Sequence, residues 1–332
     1  MIVLSIESSC DDTAAAVFVH GKLMANVQAS QAIHTVWGGV VPELASRAHQ
    51  QAIVPVVQSA LTKSGVQTDD LDMIAYTQGP GLLGSLLVGQ SFAKGLAQSL
   101  GIPLVGVNHM QAHVLALFIE EPRPAYPFMC LTVSGGHTQI VVVRSALDME
   151  IIGKTLDDAA GEAFDKCAKM LGLPYPGGPL VDKLAAEGNP HAYIFPISNI
   201  SGLDYSFSGL KTAVMNFVNK QGEAYVQQNL KDICASIQHT IIETLLRKLI
   251  LATKQTGIKR IGLAGGVSAN RGLRVAVKEM SIKEGWQVFI PKLEYCTDNA
   301  AMIGMAGIIA YEAGRRGAMD DGIYTRQHSQ AM

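Results

Sequence analysis

Two histidines four residues apart, together with one distant aspartate, are the side chains of this sequence best suited to metal chemistry. His109 and His113 lie in a segment whose pattern predicts a helix. Residues i and i+4 of a helix share one face about one turn apart, so both imidazoles can bind a single ion. Asp298 can complete a three-ligand site that leaves coordination positions open for a substrate. The same spacing also arises by chance, so the prediction depends on what accompanies it.

Three glycine-rich loops accompany the histidine pair. They span residues 132–137, 175–179 and 264–270, and two of them directly follow strand patterns. Glycine lets backbone N–H groups approach phosphate or ribose oxygens, and a following helix N-terminus favours their negative charge. One such loop alone could be a simple turn. The three together predict a nucleotide-binding cleft, but the absence of GxGxxG and GxxxxGK[ST] disfavours Rossmann and P-loop sites.

Four aspartates could serve this cleft. Asp165 and Asp182 lie on predicted helices, where they could accept hydrogen bonds from ribose hydroxyls or belong to a solvated helix face. Asp11 and Asp12 follow two serines at the predicted tip of a hairpin. Aspartate is common in turns for local reasons. The alternative is that the two aspartates, paired with Ser8 and Ser9, orient a phosphate-bound metal or a water molecule.

The elements that would position these residues occur in a repeated order. Hairpin, helix, strand, helix and strand are predicted before a proline-rich break at residues 119–127, and again after it. This duplication predicts two mixed α/β lobes facing each other across a cleft. We assign residues 1–118 to an N-terminal lobe, completed by a C-terminal helix at residues 299–332. Residues 119–298 form the predicted C-terminal lobe.

Composition agrees with an intracellular enzyme of two domains. The 332 residues suit two cores, and the 48% of hydrophobic residues is enough to fill them. A net charge of −2 predicts no broad polyanion-binding surface, so any nucleic acid would need a local patch or another subunit. The five scattered cysteines lack a CxxC pair and indicate reduced thiols. We see neither a signal peptide nor a membrane-spanning run, and we expect a cytoplasmic protein.

Seven segments of the sequence carry a resemblance to one protein family. The segments are Ser5–Thr13, Gly38–Arg47, His109 with His113, Val133–Thr138, Asp157–Lys166, Tyr205–Thr212 and Gly265–Asn270. Together they resemble the bacterial TsaD (Gcp/YgjD) family of tRNA adenosine threonylcarbamoyltransferases. The resemblance extends over about residues 2–315 and keeps the order of the family's motifs.

The resemblance implies a fold, a reaction and partners. The fold is α/β of the actin/Hsp70/sugar-kinase (ASKHA) type, with two RNase H-like lobes around a nucleotide cleft. The reaction transfers a threonylcarbamoyl group from threonylcarbamoyl-AMP to the exocyclic amine of the adenosine next to the anticodon, in tRNAs reading codons that begin with A. The implied partners are tRNA, a TsaB-like paralogue and a TsaE-like ATPase, with no membrane involved. The implied cofactor is one divalent metal per subunit, Fe²⁺ or Zn²⁺.

The resemblance also assigns residues, and this sequence departs from the family pattern at two of its motifs. Asp12 stands where the family commonly has Glu, and Gln111 stands where Glu is common in the histidine motif. Asp11 is our candidate for orienting the attacking amine or accepting its proton. The implied metal ligands are His109, His113 and Asp298, and the implied substrate contacts are Thr132, Val133, Ser134, Gly135, Gly136, Asp165, Gly178, Asp182 and Asn270.

Two other functions compete with the transferase as interpretations of this sequence. A zinc metallopeptidase of the O-sialoglycoprotein endopeptidase type needs glutamate directly after its first histidine as general base, but Met110 stands there. A nucleotide-dependent binding module or small-molecule kinase of the same fold would use Mg²⁺ held by carboxylates and water. The histidine pair argues against that class.

Overall fold

The computed structural model describes residues 1–31 and 39–326 of the chain. Gly38, in one of the family-like segments, and the end of the predicted C-terminal helix at 299–332 lie outside the described residues. Contacts divide the chain into two compact units. Unit 1 comprises Met1–Arg123, Ser145–Met149 and Pro291–Met332, and unit 2 comprises Pro124–Arg144 and Glu150–Ile290. The lobe boundary that we placed after residue 298 falls a few residues beyond Pro291 and stays a prediction.

Two five-stranded sheets share one topology. One has the strand order β3-β2-β1-β4-β5, and the other has β8-β7-β6-β9-β10. In each, the first strand pairs antiparallel with the second and parallel with the fourth. The strands are β1 (Ile2–Glu7), β2 (Asp12–Val19), β3 (Lys22–Ser30), β4 (Met73–Gly79), β5 (Leu104–Asn108), β6 (Phe128–Val133), β7 (Thr138–Ser145), β8 (Asp148–Lys154), β9 (Arg260–Ala264) and β10 (Gln287–Phe289).

The repeated order of elements predicted from the sequence is confirmed, with one strand omitted. The central strands β1 and β6 read as nearly continuous apolar runs because both of their faces are covered. The omitted strand is β8, an edge strand in which buried positions alternate with more exposed ones. Its short sequence of mixed polar and apolar residues does not by itself distinguish an edge strand from a loop. Its pairing with β7 shows that it is a strand.

The helices mostly match the sequence pattern. One long helix predicted over residues 224–256 is instead two, because Asn229 leaves the helical conformation (φ −111°, ψ 18°). Asparagine competes with the helix through local hydrogen bonds, which favours such a break. The helices are α1 (Pro42–Ser64), α2 (Leu83–Leu100), α3 (His109–Leu115), α4 (Ala160–Met170), α5 (Gly177–Ala185), α6 (Ser208–Gln221), α7 (Glu223–Gln228), α8 (Leu230–Thr256), α9 (Arg271–Glu284) and α10 (Ala300–Glu312).

The core of unit 1 fixes α10 against β1. Ser5 in β1 donates a hydrogen bond from Oγ to the carbonyl of Ala300 at 2.7 Å. A Cβ atom added at Gly304 would lie 2.4 Å from the ring of Phe18, so only glycine permits this close approach. The first turn of α10, and the residues just before it, are therefore held in a fixed position over the sheet. Among the described residues, none of the helices has the length and apolar character to span a bilayer.

Candidate metal centre and substrate loops

The two histidines lie on α3, a short helix that follows β5 without a connecting loop. Asn108 ends β5 and caps the helix, because its side chain accepts a hydrogen bond from the backbone N–H of Gln111 at 2.9 Å. All seven residues of α3 are buried. Both imidazoles are therefore held by the surrounding packing, and the helix predicted for the histidine pair is confirmed.

Asp298 brings its carboxylate to both imidazoles. Its Oδ1 lies 3.4 Å from Nε2 of His109 and 3.1 Å from Nε2 of His113. The three candidate ligand atoms all lie within 4.8 Å of one another. Two ligands bound about 2.1 Å from one ion at ordinary angles are separated by about 3.0–3.4 Å. The two distances from Oδ1 therefore match those between ligands of one metal ion, and all three residues belong to unit 1.

The position of Asp298 follows from the start of α10. Asn299 caps this helix by accepting a hydrogen bond from the backbone N–H of Met302 at 3.0 Å. Because Ser5 of β1 also anchors Ala300, the first residue of α10, Asp298 has little freedom to move. Its side chain remains 28% exposed, which leaves one side of the candidate site open to a ligand.

Opposite charges dominate the electrostatics of this site. Burial alone would raise the pKa of Asp298, but the adjacent His109 and His113 lower it well below its usual range. Burial would also lower the pKa of His109, but the charges of Glu7 and Asp298 raise it well above its usual range. In the metal-free protein, a proton on His109 therefore supplies the positive charge that a metal ion would otherwise supply.

We expect metal affinity to fall as the pH is lowered, because protons and metal compete for His109. The raised pKa keeps His109 protonated near neutral pH, whereas a metal needs the free lone pair of Nε2. The affinity should therefore rise with pH until the pH passes this raised pKa. Calorimetric titration with Zn²⁺ in two buffers of different ionisation enthalpy should show release of about one proton per metal. An affinity that does not change between about pH 6 and pH 8 would contradict this expectation.

Glu7 is a residue of this site that the sequence analysis did not identify. Its side chain is fully buried at the end of β1, and its Oε2 lies 3.1 Å from Nδ1 of His109. The same oxygen accepts a hydrogen bond from Oγ1 of Thr77 at 2.6 Å. The available signal was an acidic residue that ends an otherwise apolar strand. A buried carboxylate requires a partner, but the sequence does not indicate which one.

The hairpin tip carries the two aspartates discussed from the sequence. Asp11 is partly exposed in the turn, and Asp12 begins β2 opposite Ser30 of β3. Burial raises the pKa of Asp12 to about 6, although hydrogen bonds with Gln28 and Ser30 oppose the rise. A carboxyl group with this pKa can take up and return a proton near neutral pH.

His49 braces this turn from α1. Its Nδ1 lies 2.7 Å from Oγ1 of Thr13, and its Nε2 lies 3.0 Å from the carbonyl oxygen of Cys10. Ser85 of α2 donates a second hydrogen bond to the same carbonyl at 2.9 Å. His49 is fully buried, and its contacts give it a structural role in holding the hairpin tip.

The first glycine-rich loop of unit 2 exposes backbone rather than side chains. Thr132 and Val133 are fully buried in β6. Ser134 closes the turn, because its backbone N–H donates to the carbonyl of His137 at 2.8 Å. Gly135 and Gly136 are exposed, and no atom of the described residues lies within 4 Å of a Cβ added to either one. The two glycine N–H groups are therefore the best placed in this loop to meet a ligand.

The polar substrate residues assigned in unit 2 cap helices. Oδ1 of Asp165 accepts hydrogen bonds from the N–H groups of Gly177 and Gly178 at 2.8 and 2.9 Å, at the start of α5. Asp182 uses both carboxylate oxygens at the start of α9, accepting from the N–H groups of Arg271 and Gly272 at 3.0 and 3.2 Å. These bonds leave Oδ2 of Asp165 available to a ligand, whereas both oxygens of Asp182 are already engaged.

Asn270 also caps α9, and a cavity lies beside it. Its Oδ1 accepts from the N–H of Leu273 at 2.8 Å, and its Nδ2 donates to Gln238 of α8 at 2.7 Å. The cavity has a volume of about 290 Å³ and a mainly apolar lining that includes Asp182, Gln238 and Ile242. This volume is near the lower end of the range for small-molecule sites.

Known proteins resemble this chain along most of its length. A family model described as TsaD, tRNA N6-adenosine threonylcarbamoyltransferase, matches residues 22–305. A protein of that name from Christiangramia forsetii is 59% identical over 315 residues, covering 93% of each chain. Another of that name from Porphyromonas gingivalis is 57% identical over 322 residues, covering 95% of this chain and 94% of the relative.

Solved structures of distant sequence share the fold. The (R)-2-hydroxyglutaryl-CoA dehydratase component A of Acidaminococcus fermentans aligns with a TM-score of 0.56 at 15% identity, covering 95% of this chain and 100% of that protein. A full-length HypF aligns with a TM-score of 0.60 at 15% identity, covering 94% of this chain and 46% of HypF. Together with the two matching sheets, these likenesses confirm the α/β fold class of the ASKHA type predicted from the sequence.

Proposed function

The chain belongs to the TsaD family of tRNA N6-adenosine threonylcarbamoyltransferases, and we propose how its residues carry out that reaction. It is a transferase that moves a threonylcarbamoyl group from threonylcarbamoyl-AMP to the exocyclic amine of an adenosine in tRNA, and AMP is released. The observation that carries the proposal is the cluster of His109, His113 and Asp298, three ligand atoms within 4.8 Å of one another. The adenosine is the one next to the anticodon in tRNAs reading codons that begin with A.

The donor is a mixed anhydride, so the protein mainly has to hold it and stabilise the phosphate that leaves. We assign the N–H groups of Gly135 and Gly136 to the oxygens of the acyl-phosphate, because both residues are exposed in an open turn. Ser134 shapes that turn, and the buried Thr132 and Val133 support it as part of β6. These residues would bind and orient the donor without forming a covalent bond to it.

We assign the nucleoside part of the donor to the residues of unit 2 that lie at the starts of α5 and α9 or cap them. Oδ2 of Asp165 is free to accept a ribose hydroxyl, beside the N–H of Gly178. Asp182 and Asn270 would shape the adenine site through α9, whose first turn they cap. The apolar cavity beside them offers a volume suited to a purine base.

We propose one divalent metal at the triad, Fe²⁺ first and Zn²⁺ as the alternative, because a His₂Asp site accepts either ion. The metal, when bound, supplies positive charge that favours departure of the phosphate. His109 and His113 would hold it through Nε2, and Asp298 through Oδ1. The partial exposure of Asp298 leaves a side of the site open to the donor.

The attacking amine has a lone pair delocalised into adenine, so its position matters more than a strong base. We propose that Asp11 orients this amine or accepts its proton at the hairpin tip. Asp12 is a second candidate for proton acceptance, because burial raises its pKa to about 6. His49 acts on neither reactant. Its role is to hold in place the turn that carries Asp11 and Asp12.

Asp165→Asn should impair donor binding more than Asp182→Asn does. In Asp165→Asn the amide oxygen can still accept both hydrogen bonds at the start of α5, so its stability should be kept to within about 1 kcal/mol. Asp182→Asn loses one of its two acceptors at the start of α9, so it should lose about 1–3 kcal/mol. Of these two aspartates, Asp165 is the one with a carboxylate oxygen that accepts no hydrogen bond from the described residues, and the substitution removes the charge-assisted hydrogen bond that this oxygen would make to the ribose. We expect the KM for threonylcarbamoyl-AMP to rise about tenfold or more in Asp165→Asn. Equal changes in KM for the two variants would refute the assignment of the ribose to Asp165.

The transfer itself is tested by reconstitution. The protein is incubated with unmodified tRNA, threonine, bicarbonate, ATP and the enzyme that makes the donor, and the nucleosides of the tRNA are then analysed by mass spectrometry. The threonylcarbamoyl adduct of adenosine should form only when the protein is present. The complete reaction also contains the TsaB-like paralogue and the TsaE-like ATPase. If this complete reaction yields no adduct, the proposal is refuted.

We also propose a TsaB-like paralogue and a TsaE-like ATPase as partners, with the cytoplasm as the site of the reaction. The exposed apolar side chains of Val54 on α1 and Leu83 and Leu87 on the neighbouring α2 support a protein partner on unit 1. No observation favours the metallopeptidase alternative. Met110 leaves the histidine motif without a general base, and the relatives described above carry the transferase name.

A further inference from the structure

Glu7 is a fully buried acidic residue with three hydrogen-bonding partners. Its Oε1 accepts from the backbone N–H of Ser9 at 2.5 Å, and its Oε2 accepts from Oγ1 of Thr77 at 2.6 Å. The third partner is Nδ1 of His109, 3.1 Å from Oε2. Burying a carboxylate is costly unless it is paired and hydrogen-bonded. The strand end, the β4 hydroxyl and the imidazole together satisfy that requirement.

The contact with Glu7 decides which nitrogen of His109 faces the metal site. An ionised carboxylate only accepts hydrogen bonds, so Nδ1 of His109 must carry the hydrogen in this contact. In the neutral imidazole, the lone pair then lies on Nε2. That nitrogen is the one 3.4 Å from Oδ1 of Asp298. One hydrogen bond therefore fixes both the tautomer and the ring orientation needed for ligation.

The two candidate imidazole ligands differ in this respect. Nδ1 of His113 is buried without a hydrogen-bonding partner among the described residues. The ring of His113 is instead positioned by packing, including an edge-on contact with His109 at a centroid separation of 4.7 Å. Among the described residues, Glu7 is therefore the partner that orients this pair through an Nδ1 atom, on the side of the ring away from Asp298.

We infer that Glu7 is a positioning residue that holds His109 as a metal ligand through a buried carboxylate–imidazole contact. The inference rests on the metal site of the proposed function and adds a residue outside the ligand set. Thr77 and the N–H of Ser9 fix the carboxylate in turn, so the orientation of His109 is set from β1 and β4. An outer partner of this kind typically contributes about 10–100-fold to metal affinity.

The test measures metal affinity directly, so that it does not depend on transfer activity. Co²⁺ and Zn²⁺ are titrated into the purified full-length protein in competition with a chromophoric chelator. Glu7→Gln keeps the size of the side chain and removes its charge. We expect about 10–100-fold weaker binding and an altered visible spectrum of the bound Co²⁺. Wild-type affinity together with a wild-type spectrum in this variant would overturn the inference.

A matched control and a second variant keep the test decisive. Glu120→Gln alters another acidic residue of unit 1, one that pairs with Lys292, and should leave the affinity unchanged. If Glu7→Gln does not fold, Thr77→Val removes one of the bonds that hold the carboxylate and should weaken binding about 2–10-fold. An unchanged affinity in Thr77→Val would then count against the inference.

A third variant separates this inference from the proposed function. His109→Ala should lose Co²⁺ binding if the metal site is correct. Loss in His109→Ala with wild-type binding in Glu7→Gln would overturn only the role of Glu7. Wild-type binding in His109→Ala would overturn the metal site itself, and the role of Glu7 with it.

Discussion

His113→Ala should lose both its bound metal and its transfer activity. The imidazole supplies one of the three proposed ligands, and its Nε2 lies 3.1 Å from Oδ1 of Asp298. Loss of an outer partner lowers metal affinity about 10–100-fold, and loss of a ligand should lower it further. The metal content of the dialysed variant should therefore fall to background. Transfer should fall with it, because the charge that favours departure of the phosphate is then absent.

The measurement pairs metal content by mass spectrometry with transfer assayed on unmodified tRNA. Because His113 is almost fully buried, its truncation also leaves a cavity, and His113→Gln serves as a variant of closer volume. His20→Asn is the matched control, since His20 is exposed at a turn with φ 49°, a conformation that asparagine tolerates. Full transfer by metal-free His113→Ala would contradict the proposed role of the metal.

The histidine pair could be predicted as candidate metal ligands because its signal is local: the two imidazoles have helical spacing, on what the structure shows to be a helix of seven buried residues. Asp298 lies 185 positions from His113 and is assigned through the family resemblance, and the role of all three residues as ligands stays a prediction. Glu7 has no such signal, because strand periodicity shows that a residue is buried but does not show which side chain it meets. Its partner lies 102 positions away, and the contact exists only because β1, β4 and β5 are neighbours in the sheet.

The substrate loops show the same limit in another form. The glycine-rich turns were visible in the sequence, as was the duplicated order of elements. The hydrogen bonds made by Asp165 and Asp182 were not visible, because each joins a helix to the start of a different helix. An aspartate on a helix can accept from a ligand, from water or from another helix N-terminus. Only the packing of α4, α5 and α9 decides among these.

Gly265→Ala should destabilise unit 2 and impair donor binding together. Gly265 has a φ of +85°, and a Cβ atom added there would lie 2.5 Å from the carbonyl oxygen of Val133. The carbonyl of Val133 cannot move away without shifting the end of β6, and Gly265 cannot move away without shifting the turn after β9. We expect a loss of about 3 kcal/mol or more in the free energy of unfolding, from strain at positive φ and from the overlap.

Gly257→Ala separates the two causes of that loss. Gly257 ends α8 with a φ of +71°, and within the part of the chain that the structure describes no atom lies within 4 Å of an added Cβ. Its substitution should therefore cost only the strain of the left-handed conformation, about 1–2 kcal/mol, with an unchanged KM for the donor.

The signal for this comparison comes from unit 2 itself. Trp286 is buried in the hydrophobic core of unit 2, and the chain has two tryptophans. In a Trp37→Phe background, the fluorescence of Trp286 during denaturation therefore reports the unfolding of that core.

Because Val133 leads directly into Ser134–Gly136, a shift of the end of β6 that relieves the overlap at Gly265 also displaces the turn assigned to the acyl-phosphate. Equal destabilisation in the two variants, with an unchanged KM in both, would show that the contact between Gly265 and Val133 does not position the donor loop.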